Sequence, residues 1–182
     1  MMSPRIMRYS IWLMLLLSFL IHYLHRIHDL ALQVGRPSIY WDHQLLVNVA
    51  LWVPVLFCVW WEITFQRKRF AHMLPFIHTL ALSFIAVSIM LGGDGIVEYH
   101  FIFMVVIGMT LYHNNDFLPI LASMIFGVYH IGIYFIAPEL CLTIFPKSLW
   151  YPILIVIIQS VFGSALYVLT KYSKRIGQAS VR

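Results

Sequence analysis

Nine histidines stand in a chain that carries only twelve Lys and Arg, and their placement is the first feature that could do chemistry. The run HYLHRIH sets His22, His25 and His28 three residues apart. On a helix each such step falls about 60° short of a full turn, so the three share one broad face. His43 opens one apolar run, Glu98 and His100 open another, and His130 lies about 10 Å inside the next at 1.5 Å per residue. Neutral imidazole is the commonest protein ligand of copper, zinc and haem iron, and a carboxylate can join the shell or orient an imidazole through its other N–H. His100, His130, His43 and Glu98 are therefore the candidate ligands of a transition metal (copper, zinc or iron) or of a haem, with His22 and His25 as possible additional ligands. Glu98 and His100 are about 200° apart on a regular helix, so one is expected to ligate and the other to orient. His78, His113 and Tyr112 form a second polar group toward the opposite end.

These residues need elements to hold them, and the composition restricts what those are. With 62% apolar and 10% charged residues and a mean hydropathy of +0.85, the chain has too little polar surface to cover a soluble globule. An all-α integral membrane protein is expected, because only helices satisfy their own backbone in lipid without barrel-type alternation. Runs long enough to cross fall at 9–24, 44–65, 71–91, 98–112, 117–137 and 149–170, giving one six-helix transmembrane bundle over 1–182. The first and fourth are short by strict count. Lys and Arg set the topology. With the N-terminus inside, the inner segments hold Arg5, Arg8, Arg67, Lys68, Arg69, Lys171, Lys174, Arg175 and Arg182, against Arg26, Arg36 and Lys147 outside, so N-in/C-in follows. No cleavable leader is expected, since no small-residue site follows the first apolar run.

Blander roles account for other residues. His22, His25 and His28 could simply cap a helix end, and His72 beside Arg67 to Arg69 reads as a solvated surface residue. Glu62 is expected to pair with Arg67 or Arg69 near the inner face. Trp41, Trp60, Trp61, Trp150, Tyr9 and Tyr151 read as interfacial belts. Pro54 is the expected kink, while Pro75, Pro119 and Pro152 fall in first turns that tolerate a missing N–H. Cys58 and Cys141 sit at different depths and are expected to remain unbridged. Basic residues in small groups between apolar runs exclude nucleic-acid binding as the leading reading. No nucleophile-base order, nucleotide loop or zincin spacing appears, so an enzyme is not expected.

The block GDGIVEYHFIFMVVIGMTLYHNNDFLPILASMIFGVYH, Gly93 through His130, resembles the N-terminal multi-span membrane sensor region of bacterial signalling proteins. In those proteins it precedes methyl-accepting chemotaxis, diguanylate cyclase or histidine kinase modules. The resemblance covers roughly 92–130 and implies roles for Glu98, His100, Tyr112, His130 and, more loosely, His43. It departs where the family's Y-R-D-W becomes Tyr112-His113-Asn114-Asn115-Asp116, and no output module follows Arg182. What it implies is a sensory domain in the bacterial inner membrane, acting through a cytoplasmic signalling module or partner protein and possible as a homodimer in the lipid bilayer. The alternative expectation is a b-type-cytochrome-like electron-transfer protein, with His78 and His113 below the outer group, or else a small transporter.

Overall fold

The structure, a computed structural model, describes residues 3–27, 43–95, 97–113, 115–137 and 150–179; the side chains of 68, 69, 97, 98, 151, 152, 170 and 173–179 lie outside that description. Among the described residues every regular element is helical. Six α-helices follow in order: α1 Pro4–Ile27, α2 Gln44–Gln66, α3 Leu74–Gly92, α4 Phe101–Thr110, α5 Phe117–Ile136 and α6 Trp150–Ala179. Each falls on one of the expected apolar runs. Four stretches, Pro4–Ile27, Gln44–Gln66, Phe70–Gly92 and Phe117–Ile136, are long and apolar enough to cross a membrane.

The boundaries differ from the expected ones where local chemistry intervenes. Helix α1 extends beyond the run at both ends, and Ser3 accepts the Ile6 amide through Oγ at 3.4 Å, offsetting one unpaired donor of its first turn. The third run begins with a 3₁₀ turn, Lys68–Met73, because Pro75 occupies the first turn of α3 and offers no amide to an upstream carbonyl. The fourth is a ten-residue α-helix between two 3₁₀ turns, Val97–His100 and Leu111–His113. The sixth continues as helix past Thr170 to Ala179. Helix α2 runs through the buried Pro54.

Helix α3 is the centre of the bundle. Fourteen of its nineteen residues are buried, and it packs against α1, α2, α4 and α5. Ala81, Ser83, Ala86 and Ser88 keep its surface low, which lets neighbouring backbones approach closely. Helix α6 lies on α5 and α4. Leu13, Leu16, Leu45, Trp52, Leu56, Val128 and Phe135 point outward and are at least half exposed, an apolar exterior suited to lipid.

Two expected surface roles are corrected. Trp61 is 1% exposed and stacks on Phe65 with ring centroids 5.0 Å apart, so it belongs to the core and not to an interfacial belt. Glu62 takes its partners from α1: Arg8 Nε and Trp12 Nε1 each donate to Oε1 at 2.8 Å. The packing of α1 beside that face of α2 brings these two donors within reach; the Arg69 side chain lies outside the described residues. Cys58 is a buried free thiol; His28, Arg36, Trp41, Cys141, Lys147 and Asn114 lie outside the described residues.

Candidate functional site

Helix α1 carries its inward face at Met7, Ile11, Met14, Leu15, Ser18, Ile21, His22 and His25, a stripe at helical spacing. That stripe meets α3, and the polar residues on it find partners there. His22 Nε2 lies 3.0 Å from the Ser88 carbonyl and 3.1 Å from Ser88 Oγ, which in turn is 2.9 Å from Ser18 Oγ. A carbonyl can only accept, so Nε2 carries the hydrogen and Nδ1 holds the lone pair. His22 Nδ1 is buried with no hydrogen-bond partner among the described residues. His25 Nδ1 donates to Asp94 Oδ2 at 2.8 Å, and its Nε2 meets the Tyr99 hydroxyl at 3.2 Å.

The Gly-rich turn makes this arrangement possible. Gly93 N donates to Ile89 O at 2.9 Å and Gly95 N to Met90 O at 3.0 Å, closing α3. Asp94 and Gly95 are left-handed, with φ of 52° and 67°, a conformation that Asp tolerates and Gly adopts freely. The turn folds the Asp94 carboxylate back toward His25. Gly92 and Gly93 are bare where aromatic rings press on the chain, His22 on the first and Tyr99 on the second.

Within the same end of the bundle His100 and His130 form a separate pair, ring centroids 5.3 Å apart and planes tilted by 35°. His130 is 1% exposed and walled by Phe103 and Tyr129, both edge-on. Its Nδ1 donates to Phe126 O at 2.7 Å, one turn back on α5. The tautomer is thereby set, and the Nε2 lone pair has no partner among the described residues. An imidazole held by one nitrogen with the other left open is the arrangement that outer-shell hydrogen bonds give metal-binding histidines.

The other group behaves differently. His78 Nδ1 is 2.8 Å from His113 Nε2, and His78 Nε2 is 2.8 Å from Ser10 Oγ. Ser10 Oγ donates to Met7 O at 2.8 Å, so it accepts from His78 Nε2–H, and His78 Nδ1 then accepts from His113 Nε2–H. Both His78 nitrogens are occupied. Among the described residues, His113 Nδ1 is the nitrogen of this pair without a hydrogen-bond partner. Tyr112 is 66% exposed, outside this pair. Met14, Leu15, Leu82 and Ile85, all buried, form an apolar layer between this group and the His22 group.

The expected site residues thus fall into three sets. His100 joins His130; His22 and His25 turn to Ser88, Asp94 and Tyr99; His78 joins His113. His43 stands half-buried immediately before α2. The Glu98 backbone is in the same 3₁₀ turn as His100, and its side chain lies outside the described residues. Among the described residues no group of three or more His, Cys, Asp or Glu side chains gathers as a metal cage. Ser10, Ser18, Ser88, Asp94 and Tyr99 were not singled out from sequence. Their signal was available for α1, where Ser10 and Ser18 fall on or beside the inward stripe, and absent for α3, where apolar residues on every face leave no stripe to mark Ser88.

No family model, curated protein or solved structure matches the chain.

Proposed function

We propose that this chain is a membrane-embedded sensory domain in which His130 and His100 bind a transition metal and the bound state sets the packing of α5 against its neighbours. The observation that carries the reading is the His130 lone pair. It is buried, aimed by the bond from Nδ1 to Phe126 O, and left without a hydrogen-bond donor in surroundings where an unmet polar atom costs about 1–3 kcal/mol.

The two rings lie 5.3 Å apart between centroids, near enough for both imidazoles to serve one group such as copper or zinc. His100 and His130 supply two ligands, with Glu98 and His43 the candidates to complete or orient the shell. A metal there would act as a structural clamp between the start of α4 and α5.

The route outward follows from the packing. His130 is on α5, which lies along α6, and α6 has thirty residues, about 45 Å against a hydrocarbon core of about 30 Å. Its basic end would emerge on the inner face in the N-in/C-in topology that the Lys and Arg distribution favours, with all six helices crossing a bacterial inner membrane. There it would meet a cytoplasmic module or partner, in a monomer or homodimer. Binding can shift such a bundle only by the difference in affinity between two packings.

The cytochrome alternative needs a second haem held by His78 or His113, and the occupation of both His78 nitrogens weighs against it. A transporter needs a polar path through the apolar layer of Met14, Leu15, Leu82 and Ile85, which also weighs against it.

The test is elemental analysis and a visible spectrum of the purified chain after copper and zinc loading. Wild type should hold about one ion per chain, and His100→Ala and His130→Ala should each lose it by more than about tenfold in affinity, the scale of one lost ligand or its orienting partner. Wild type without bound metal, or both variants retaining it while still folded, sinks the proposal.

A further inference from the structure

Between α5 and α6 runs a groove of about 520 Å³ lined by Asp116, Ile120, Ser123, Gly127, Ser160 and Ser164 among others. A side chain added at Gly127 would come within 3.8 Å of Val156 and one at Gly163 within 3.4 Å of Ser123 Oγ, so the two glycines keep the space between the helices open. On α5 it extends from Asp116 to Gly127 and on α6 from Tyr167 back to Val156, about 16 Å on each helix at 1.5 Å per residue. That is half of a hydrocarbon core of about 30 Å, the depth of one leaflet. The walls are mainly apolar and the small residues leave room for a narrow occupant. Ligand clefts run from about 300 to 1,000 Å³, and this one has room for one acyl chain.

The polar end carries charges of both signs. Tyr167 Oη donates to Asp116 Oδ2 at 3.2 Å, and Lys171 Nζ donates to Tyr167 Oη at 3.1 Å while standing 5.4 Å from the ring centroid. A carboxylate and an ammonium are thus held on either side of one phenol, at the mouth of an apolar channel. We propose that this groove is a binding site for a phospholipid with a primary-amine headgroup, one acyl chain lying between α5 and α6, its ammonium on Asp116 and its phosphate on Lys171. A choline headgroup has no N–H to give the carboxylate, and a purely anionic headgroup would face Asp116 without compensation. The inference rests on α5 and α6 crossing the bilayer and is independent of the metal site.

The full-length chain would be purified in micelles holding equal amounts of phosphatidylethanolamine, phosphatidylcholine and phosphatidylglycerol with identical acyl chains, and weighed by native mass spectrometry. One phosphatidylethanolamine per chain is expected. Ser164→Phe and Ser160→Leu, which fill the groove from its rim, should each remove the retained lipid while leaving metal binding unchanged. Asp116→Asn keeps an acceptor for Tyr167 but loses the charge; it should retain lipid and lose about tenfold in headgroup preference, the weight of one charge-assisted hydrogen bond. Equal retention of all three lipids, retention unaltered in both filled variants, or a two-chain species that Ser164→Phe splits, which would assign the groove to a second copy, overturns the proposal.

Discussion

A methyl group added to Gly92 tests the packing of His22 against α3 directly. An alanine Cβ there would stand 2.5 Å from Cδ2 and Nε2 of His22 and 2.7 Å from Cε1, where ordinary contact needs about 3.5–4.0 Å. The imidazole must retreat by about 1 Å. It has no free direction, because Nε2 is tied to the Ser88 carbonyl at 3.0 Å and the ring is 2% exposed. Overpacking costs about 1–3 kcal/mol, and losing the bond to Ser88 about 1–3 kcal/mol more. Replacing a helical glycine returns about 0.5–1 kcal/mol. The net for Gly92→Ala is a loss of about 1–5 kcal/mol, or roughly 2–20 °C at about 2–4 °C per kcal/mol for a chain of this size. Thermal unfolding in detergent, followed by the fluorescence of the six tryptophans, measures it. The decisive comparison is Gly92→Ala in a His22→Ala background. There the obstacle is gone, so the glycine substitution should stabilise by about 0.5–1 kcal/mol, and the coupling should exceed the single-variant loss by that amount. A single variant that melts within about 0.5 kcal/mol of wild type, or an equal loss in both backgrounds, refutes the close approach.

Two further outcomes follow from the same contacts. Asp94→Ala leaves the buried His25 Nδ1–H without its acceptor and should lower stability by about 2–3 kcal/mol, while Asp94→Asn keeps an acceptor oxygen and should lose about half as much in the same melt. Ser10→Ala removes the acceptor of His78 Nε2–H, costing about 1–3 kcal/mol; ring nitrogen NMR should show the protonated nitrogen of His78 changing in the variant, and an unchanged spectrum would reject the proton order drawn from Ser10 through His113.

Much of the architecture was legible in the residues because depth is a one-dimensional property. Apolar runs long enough to cross lipid, broken by Arg36-Pro37, Gly92 to Gly95 and Asn114 to Asp116, mark helices without reference to their neighbours. The short fourth run was also legible, although its 3₁₀ ends were not: they depend on how Tyr99 and His113 are held by other helices. At the site, His100 and His130 were both legible as polar residues in the same half of consecutive helices, but that their rings meet was not. The partners of His22 and His25 did not, since Ser88 lies on α3 and Asp94 in the turn that closes it, and a helix apolar on every side shows no moment to reveal which face it buries.

The amino-acid sequence by itself determined that this is a helical, lipid-suited chain with polar side chains near helix ends, because composition and run length alone decide what water will accept. Tertiary structure decided the azimuth of each helix, and with it every pairing: Glu62 with Arg8 and Trp12, Trp61 in the core, His78 with His113, and an unspent His130 nitrogen beside His100. Rotation about a helix axis leaves hydropathy unchanged but moves each side chain to a different neighbour, so only packing between helices could select the contacts.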